Sequence, residues 1–236
     1  MTAATKKTPA PKFTSPIGTF KYPALAEPSY GSKEYPKPEG EYQVRLILKQ
    51  DAKSTQDFMT ALMVPYAAAE ADALVAFNKL PIAQRKKIGV MKINPLFDLV
   101  YDKDTEEPTG DIEFRFKLTA SGVYKGDYKK GQDWTARPVL FDGKGRKMDP
   151  CPEIWGGSEG RIGFTASPYF INGTGAGGLK LRLTGAQVTK LVERGGYTAD
   201  SLGFGTVEDG YDYVAPASVD TATDADADAS SDQIPF

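Results

Sequence analysis

The sequence predicts a mainly β protein: a small Greek-key barrel of five strands, with a helix inserted after the first strand and a disordered acidic C-terminal tail. Three observations carry this. Residues 41–50 and 111–121 alternate apolar and polar side chains with the period of a half-buried strand. Between them, Phe58, Leu62, Tyr66, Ala69, Ala73 and Phe77 recur at three- and four-residue spacing, the period of a helix. The last basic residue is Arg194, and nine acidic residues follow it.

In chain order, residues 1–40 read as irregular, because Pro9, Pro11, Pro16, Pro23, Pro28, Pro36 and Pro38 interrupt regular structure. Residues 1–12 form a flexible leader made basic by Lys6, Lys7 and Lys12, either a solubilising terminus or an arm that closes over a polyanion. The barrel domain runs over 13–194, and a Gly- and acid-rich linker with the tail over 195–236. The first strand, 41–50, sets Tyr42, Val44, Leu46 and Leu48 against Gln43, Arg45, Ile47 and Lys49. The Ala-rich helix at 54–79 is expected to kink or split at Pro65, which lacks a backbone donor.

Residues 82–92 read as a basic loop carrying Arg85, Lys86, Lys87 and Lys92, 97–101 as a short strand, and 102–110 as an acidic turn. The carboxylates of that turn lack the glycine and closing Glu of a calcium loop, so a solvated turn fits better. In 111–121, Ile112, Phe114, Phe116, Leu118 and Ala120 face one way and Glu113, Arg115, Lys117 and Thr119 the other. Strands at 134–141, 161–167 and 179–188, with a turn DGKGRK at 142–147, complete the five.

Composition removes whole classes of chemistry. There is no histidine and a single cysteine, Cys151, so His-based triads, most zinc sites and an intramolecular disulfide are excluded, and a reducing cytoplasm is the natural compartment. No run approaches the roughly 20 apolar residues of a membrane span, so no membrane is expected. The net charge of -2 conceals an asymmetry: residues 1–194 hold all 29 Lys and Arg against 22 of the 31 Asp and Glu, a balance of +7. A basic body is joined to an acidic tail.

Residues 124–137, YKGDYKKGQDWTAR, interleave Tyr124, Tyr128 and Trp134 with Lys125, Lys129, Lys130 and Arg137. An aromatic ring stacks on any nucleobase and nearby cations track phosphates, which is the chemistry of sequence-tolerant binding to single strands. The bland reading is a charged hairpin whose Trp134 tucks into the core. GTGAGG at 173–178 satisfies a dinucleotide-binding pattern in form, but the following LKLRLTG reads as a strand rather than the required helix, so a hairpin fits better. No phosphate loop, nucleophile elbow or acid/base pair is present; an enzyme, a cofactor and a metal are not expected, and no catalytic residue is nominated.

Several short motifs occur in one order: FTSPIGT at 13–19, then Ala26, Pro28, Tyr30 and Gly31, GEYQVRL at 40–46, FRFKLTAS at 114–121, DGKGRKM at 142–148, SPYF at 167–170, and an acidic tail ending in Phe236. Together they resemble the single-stranded DNA-binding proteins of T7-like phages. The resemblance implies an OB-fold with a helix inserted after the first strand, binding of single-stranded DNA without strong sequence preference, and a tail that docks on the phage DNA polymerase and helicase. It places Lys117 at a basic DNA-contacting position and Tyr169 at a family aromatic. Thr119 stands where the family has a stacking aromatic, a role that Trp134 or Tyr124 would take over.

The expected function is therefore that of a DNA replication, recombination and repair protein, in the cytoplasm of the infected bacterial host. Lys12, Arg45, Arg115, Lys117, Lys125 and Arg137 would meet phosphates, and Tyr124, Tyr128, Trp134 and Tyr169 would stack on bases. Asp224, Asp226, Asp228, Asp232 and Phe236 form a tail that competes with DNA and recruits partners. The resemblance also leaves room for a homodimer with exchanged tails. The alternative is an adaptor or structural protein whose basic face binds an acidic protein.

Overall fold

The computed structural model describes residues 10–124, 126 and 129–192. In chain order these form β1 (Lys12–Thr14), β2 (Gly18–Gly31), β3 (Pro36–Lys49), α1 (Lys53–Asn78), α2 (Ile82–Ile88), β4 (Lys92–Ile93), β5 (Asp98–Tyr101), β6 (Pro108–Thr119), β7 (Ser121–Val123), β8 (Asp133–Thr135), β9 (Val139–Phe141), β10 (Glu159–Ile171) and β11 (Ala176–Lys190). The long strands close a five-membered ring. β2 pairs β3, β3 pairs β6, β6 pairs β11, β11 pairs β10, and β10 returns to β2. All five pairings are antiparallel except β6–β11. The fold is thus the mainly β, OB-type barrel expected, with α1 following β3.

One member of the ring differs from expectation. β2, drawn from the proline-rich stretch read as irregular, occupies the place assigned to 134–141. Its alternation is broken by register shifts after Lys21, Ala24 and Ser29, yet Phe20 and Leu25 are buried. β10 pairs with β2 only at Gly18 and Thr19, so Pro23 and Pro28 lie where one side of the strand carries no ladder and a missing N–H costs nothing. Residues 134–141 instead make two short strands. β8 pairs with β7 in a hairpin, β9 runs parallel to β11, and the Arg137–Pro138 step divides them.

Pro65 does not split α1: the helix is continuous from Lys53 to Asn78, with Leu62 before the proline and Ala69 after it both buried. Ala-richness gives α1 a mean hydropathy of 1.3 over its most apolar window, enough by length and composition to cross a membrane, contrary to expectation. Its line of Thr55, Phe58, Leu62, Ala69 and Ala73 is buried, and the helix lies along β10 and β11. The basic loop expected at 82–92 also begins as helix α2: Gln84 and Arg85 donate to the Pro81 carbonyl, and Gly89, at φ 80°, ends the turn.

The inward face of the alternation is an aromatic core. Phe114 and Phe116 are fully buried; Phe58 of α1 meets Phe114 edge-on at 5.2 Å, and Phe116 meets Phe164 at 4.8 Å. Gly160 allows β10 to serve two neighbours at once. A β-carbon there would lie 2.1 Å from the Gln187 carbonyl oxygen of β11 and 2.7 Å from the Phe20 ring of β2. GTGAGG turns β10 into β11 as a hairpin, with Gly177 letting Ala73 of α1 approach to 2.5 Å of its missing β-carbon.

Candidate nucleic-acid interface

Ladder register dictates which outward side chains become neighbours, since residues directly opposite on adjacent strands share a face. Lys21 of β2, Arg45 of β3 and Arg115 of β6 stand in one cross-strand row. A second row carries Gln43, Lys117 and Arg182, and β10 links Arg182 through Thr165 to Lys12 of β1. The strands therefore bring Lys12, Arg45, Arg115 and Lys117 into one pair of rows, and add Lys21 and Arg182.

Such a row of like charges is tolerable because carboxylates are set into it. Glu113, also on the outward side of β6, is only 4% exposed. Lys21 Nζ lies 3.2 Å from its Oε2, Arg45 Nη1 2.9 Å from its Oε1, and Arg115 Nε 3.6 Å from the same oxygen. Arg115 also reaches Asp98 at 2.9 Å. Lys117 sits 3.2 Å from Glu41, which Lys37 grips as well. Burial would push the Glu41 carboxyl up, but the hydrogen bonds from Lys37 and Lys117 outweigh it and hold the group below the ordinary carboxylate value. Each exposed pair is worth about 0–1 kcal/mol; collectively they fix where the cationic heads stand.

Aromatic rings flank the rows. Tyr169 shares a hollow of about 400 Å³ with Arg115, Asp98 and Glu113; its hydroxyl accepts from the Asn94 amide and its ring lies against Gly178. Tyr22, 59% exposed, has Lys21 Nζ and Arg45 Cζ facing its ring at 5.5 and 5.4 Å. It also lines a groove of about 730 Å³ between β2 and residues 149–156, where burial pushes the Cys151 thiol up and away from the reactive thiolate.

The remaining nominated residues go elsewhere. Tyr124 is exposed with Lys129 over its ring at 5.5 Å, on the β7–β8 hairpin that leaves β6 beside Glu41. Trp134 joins neither the core nor the rows: its half-buried indole lies across Gly122 on the same hairpin, within 2.8–3.1 Å of where a β-carbon would be. Arg137 lines the large groove, donating to the Ala26 carbonyl at 3.2 Å. Lys125, Tyr128, Asp224, Asp226, Asp228, Asp232 and Phe236 lie outside the described residues. Lys21, Tyr22 and Arg182 were missed. β2 did not read as a strand, and Arg182 finds its partner only through the parallel β6–β11 pairing.

Comparisons with known proteins bear on the family and the fold. The chain is 28% identical over 190 residues to the single-stranded DNA-binding protein of Escherichia phage T7, covering 78% of each chain. It is 28% identical over 204 residues to that of Enterobacteria phage T3, covering 84% of this chain and 83% of the relative. Its structure superposes on the crystal structure of gp2.5, a single-stranded DNA-binding protein encoded by bacteriophage T7, with a TM-score of 0.63 at 26% identity. That superposition covers 87% of this chain and all of the other. The family described as single-stranded DNA-binding protein, Bacteriophage T7, matches residues 17–191, from one residue before β2 to one residue after β11. A match that spans the whole closed ring and its helix makes this chain a member of that family.

Proposed function

We propose that the protein binds single-stranded DNA with little sequence preference and serves phage DNA replication, recombination and repair in the cytoplasm of the infected bacterial host. The observation that carries the reading is the pair of basic cross-strand rows, Lys21–Arg45–Arg115 and Lys117–Arg182, with Tyr22 and Tyr169 beside them. Cations at strand spacing track a phosphate backbone, and rings next to them accept bases of any identity. In this reading Lys12, at the end of the second row, and the exposed Tyr124 of the hairpin also meet the DNA strand.

The acidic run Asp224, Asp226, Asp228 and Asp232 competes with DNA for the basic rows, at the high effective concentration that tethering gives. When DNA displaces it, the run and its terminal Phe236 meet the phage DNA polymerase and helicase, Phe236 acting as the apolar anchor. A homodimer with exchanged tails is compatible with this arrangement.

Titration of oligo-dT into full-length and 210–236-deleted protein at two salt concentrations tests the proposal. Affinity is expected to fall with salt by about 0.7 log units per log unit for each phosphate neutralised, oligo-dT to outcompete duplex, and the deletion to tighten binding. Affinity indifferent to salt, or equal for duplex, overturns the DNA reading. Unchanged affinity after the deletion overturns only the competition by the tail.

A further inference from the structure

Three properties come together at Tyr22. Its backbone is left-handed, at φ 51°, a conformation that is strained for a non-glycine residue and persists only where its surroundings enforce it. Its ring is 59% exposed instead of being hidden in the core beside Phe20 and Leu25. And two cations already address that ring, both anchored from beneath by one nearly buried carboxylate, Glu113. The strained residue lies where β2 loses register between Lys21 and Ala24, so the irregularity re-aims one side chain onto the basic row.

From this we infer that Tyr22 is a base-stacking residue of the interface, the aromatic that compensates for Thr119; the inference rests on the single-stranded DNA reading proposed above. A base laid on the exposed part of the phenol ring has Lys21 and Arg45 within reach of its own phosphate and the next. Glu113 is the positioning residue, holding both cations at the ring. Thr119, by contrast, stands opposite Glu41 at the far end of the ladder, where it offers no π-face. Trp134 cannot take its place without leaving Gly122.

The test separates stacking from charge and from folding. Oligo-dT and an abasic oligomer of the same length, with the same phosphates and no bases, are titrated into wild type, Tyr22→Phe, Tyr22→Leu and Tyr22→Gly. Tyr22→Gly removes the ring while relieving the left-handed backbone, so a folding defect in the Leu variant does not end the experiment; thermal unfolding checks each. The expected result is that wild type and Tyr22→Phe prefer oligo-dT. Tyr22→Leu and Tyr22→Gly should lose about tenfold in affinity for oligo-dT and change little toward the abasic oligomer, with the salt slope preserved. Equal losses toward both oligomers, or none toward either, overturn the role of Tyr22 while leaving DNA binding intact. Failure of the wild type itself to bind oligo-dT refutes the underlying function instead.

Discussion

The two faces of β6 are built from the same strand and obey opposite rules. Inward, Ile112, Phe114 and Phe116 are completely buried in one apolar cluster. Outward, Arg115 and Lys117 are exposed, yet Glu113 between them and the core is as hidden as a core residue. Period two places a side chain on a face. What happens on that face depends on the neighbouring strands: three long basic side chains from β2, β3 and β6 bury Glu113 by covering it. A carboxylate on the solvent side of a strand can thus be interior in every physical sense.

Substitutions on the two faces should separate these rules. The largest effect belongs to the inner face: Phe114→Ala removes a ring packed against Phe58 and Phe97 and is expected to cost about 3–5 kcal/mol in denaturant unfolding. A loss under 1 kcal/mol would mean that the core collapses freely around the gap. On the outer face, Glu113→Ala leaves Lys21, Arg45 and Arg115 facing one another. Because those cations are at least one-third exposed, the loss should be smaller, about 1–2 kcal/mol, and should shrink further as salt is added. A salt-independent loss would show that the carboxylate acts through packing.

The hairpin lies between these cases. Gly122→Ala forces the Trp134 indole off its seat, at about 1 kcal/mol, and a red shift of tryptophan emission should report it. Smallest is the Glu41 effect. Its folded pKa lies below the unfolded value near 4.3, so its stabilising contribution is complete above that value and fades as pH falls through the folded one. Glu41→Gln should therefore be less stable than wild type near neutrality and converge with it in acid; parallel stability curves down to about pH 3 would dissociate Glu41 from Lys37 and Lys117.

The inner face was legible because burial is periodic: every inward residue named on 41–50 and 111–121 is buried. β2 was not, since its alternation is interrupted by shifts that only its pairing with β3 explains, and prolines mark it as broken wherever a neighbouring strand is assumed. Arg45, Arg115 and Lys117 could be nominated one by one as outward cations. The carboxylate partners of Arg45 and Lys117 could not: Glu113 is 68 residues from Arg45, and Glu41 is 76 from Lys117, distances that no local pattern spans. Tyr22 was hidden by the same gap, because its neighbours in space come from a ladder that the sequence does not announce.

The carboxylates seated among the cations make the barrel face an ion exchanger loaded with its own anions. On the proposed function, a phosphate arriving at Arg45, Arg115 or Lys117 displaces a carboxylate oxygen, and that oxygen then draws a cation from solution. Part of the salt released from DNA is thereby taken up again by the protein. The dependence of affinity on salt should accordingly be shallower than about 0.7 log units per basic side chain in the rows. Neutralising Glu113 or Glu41 should steepen it.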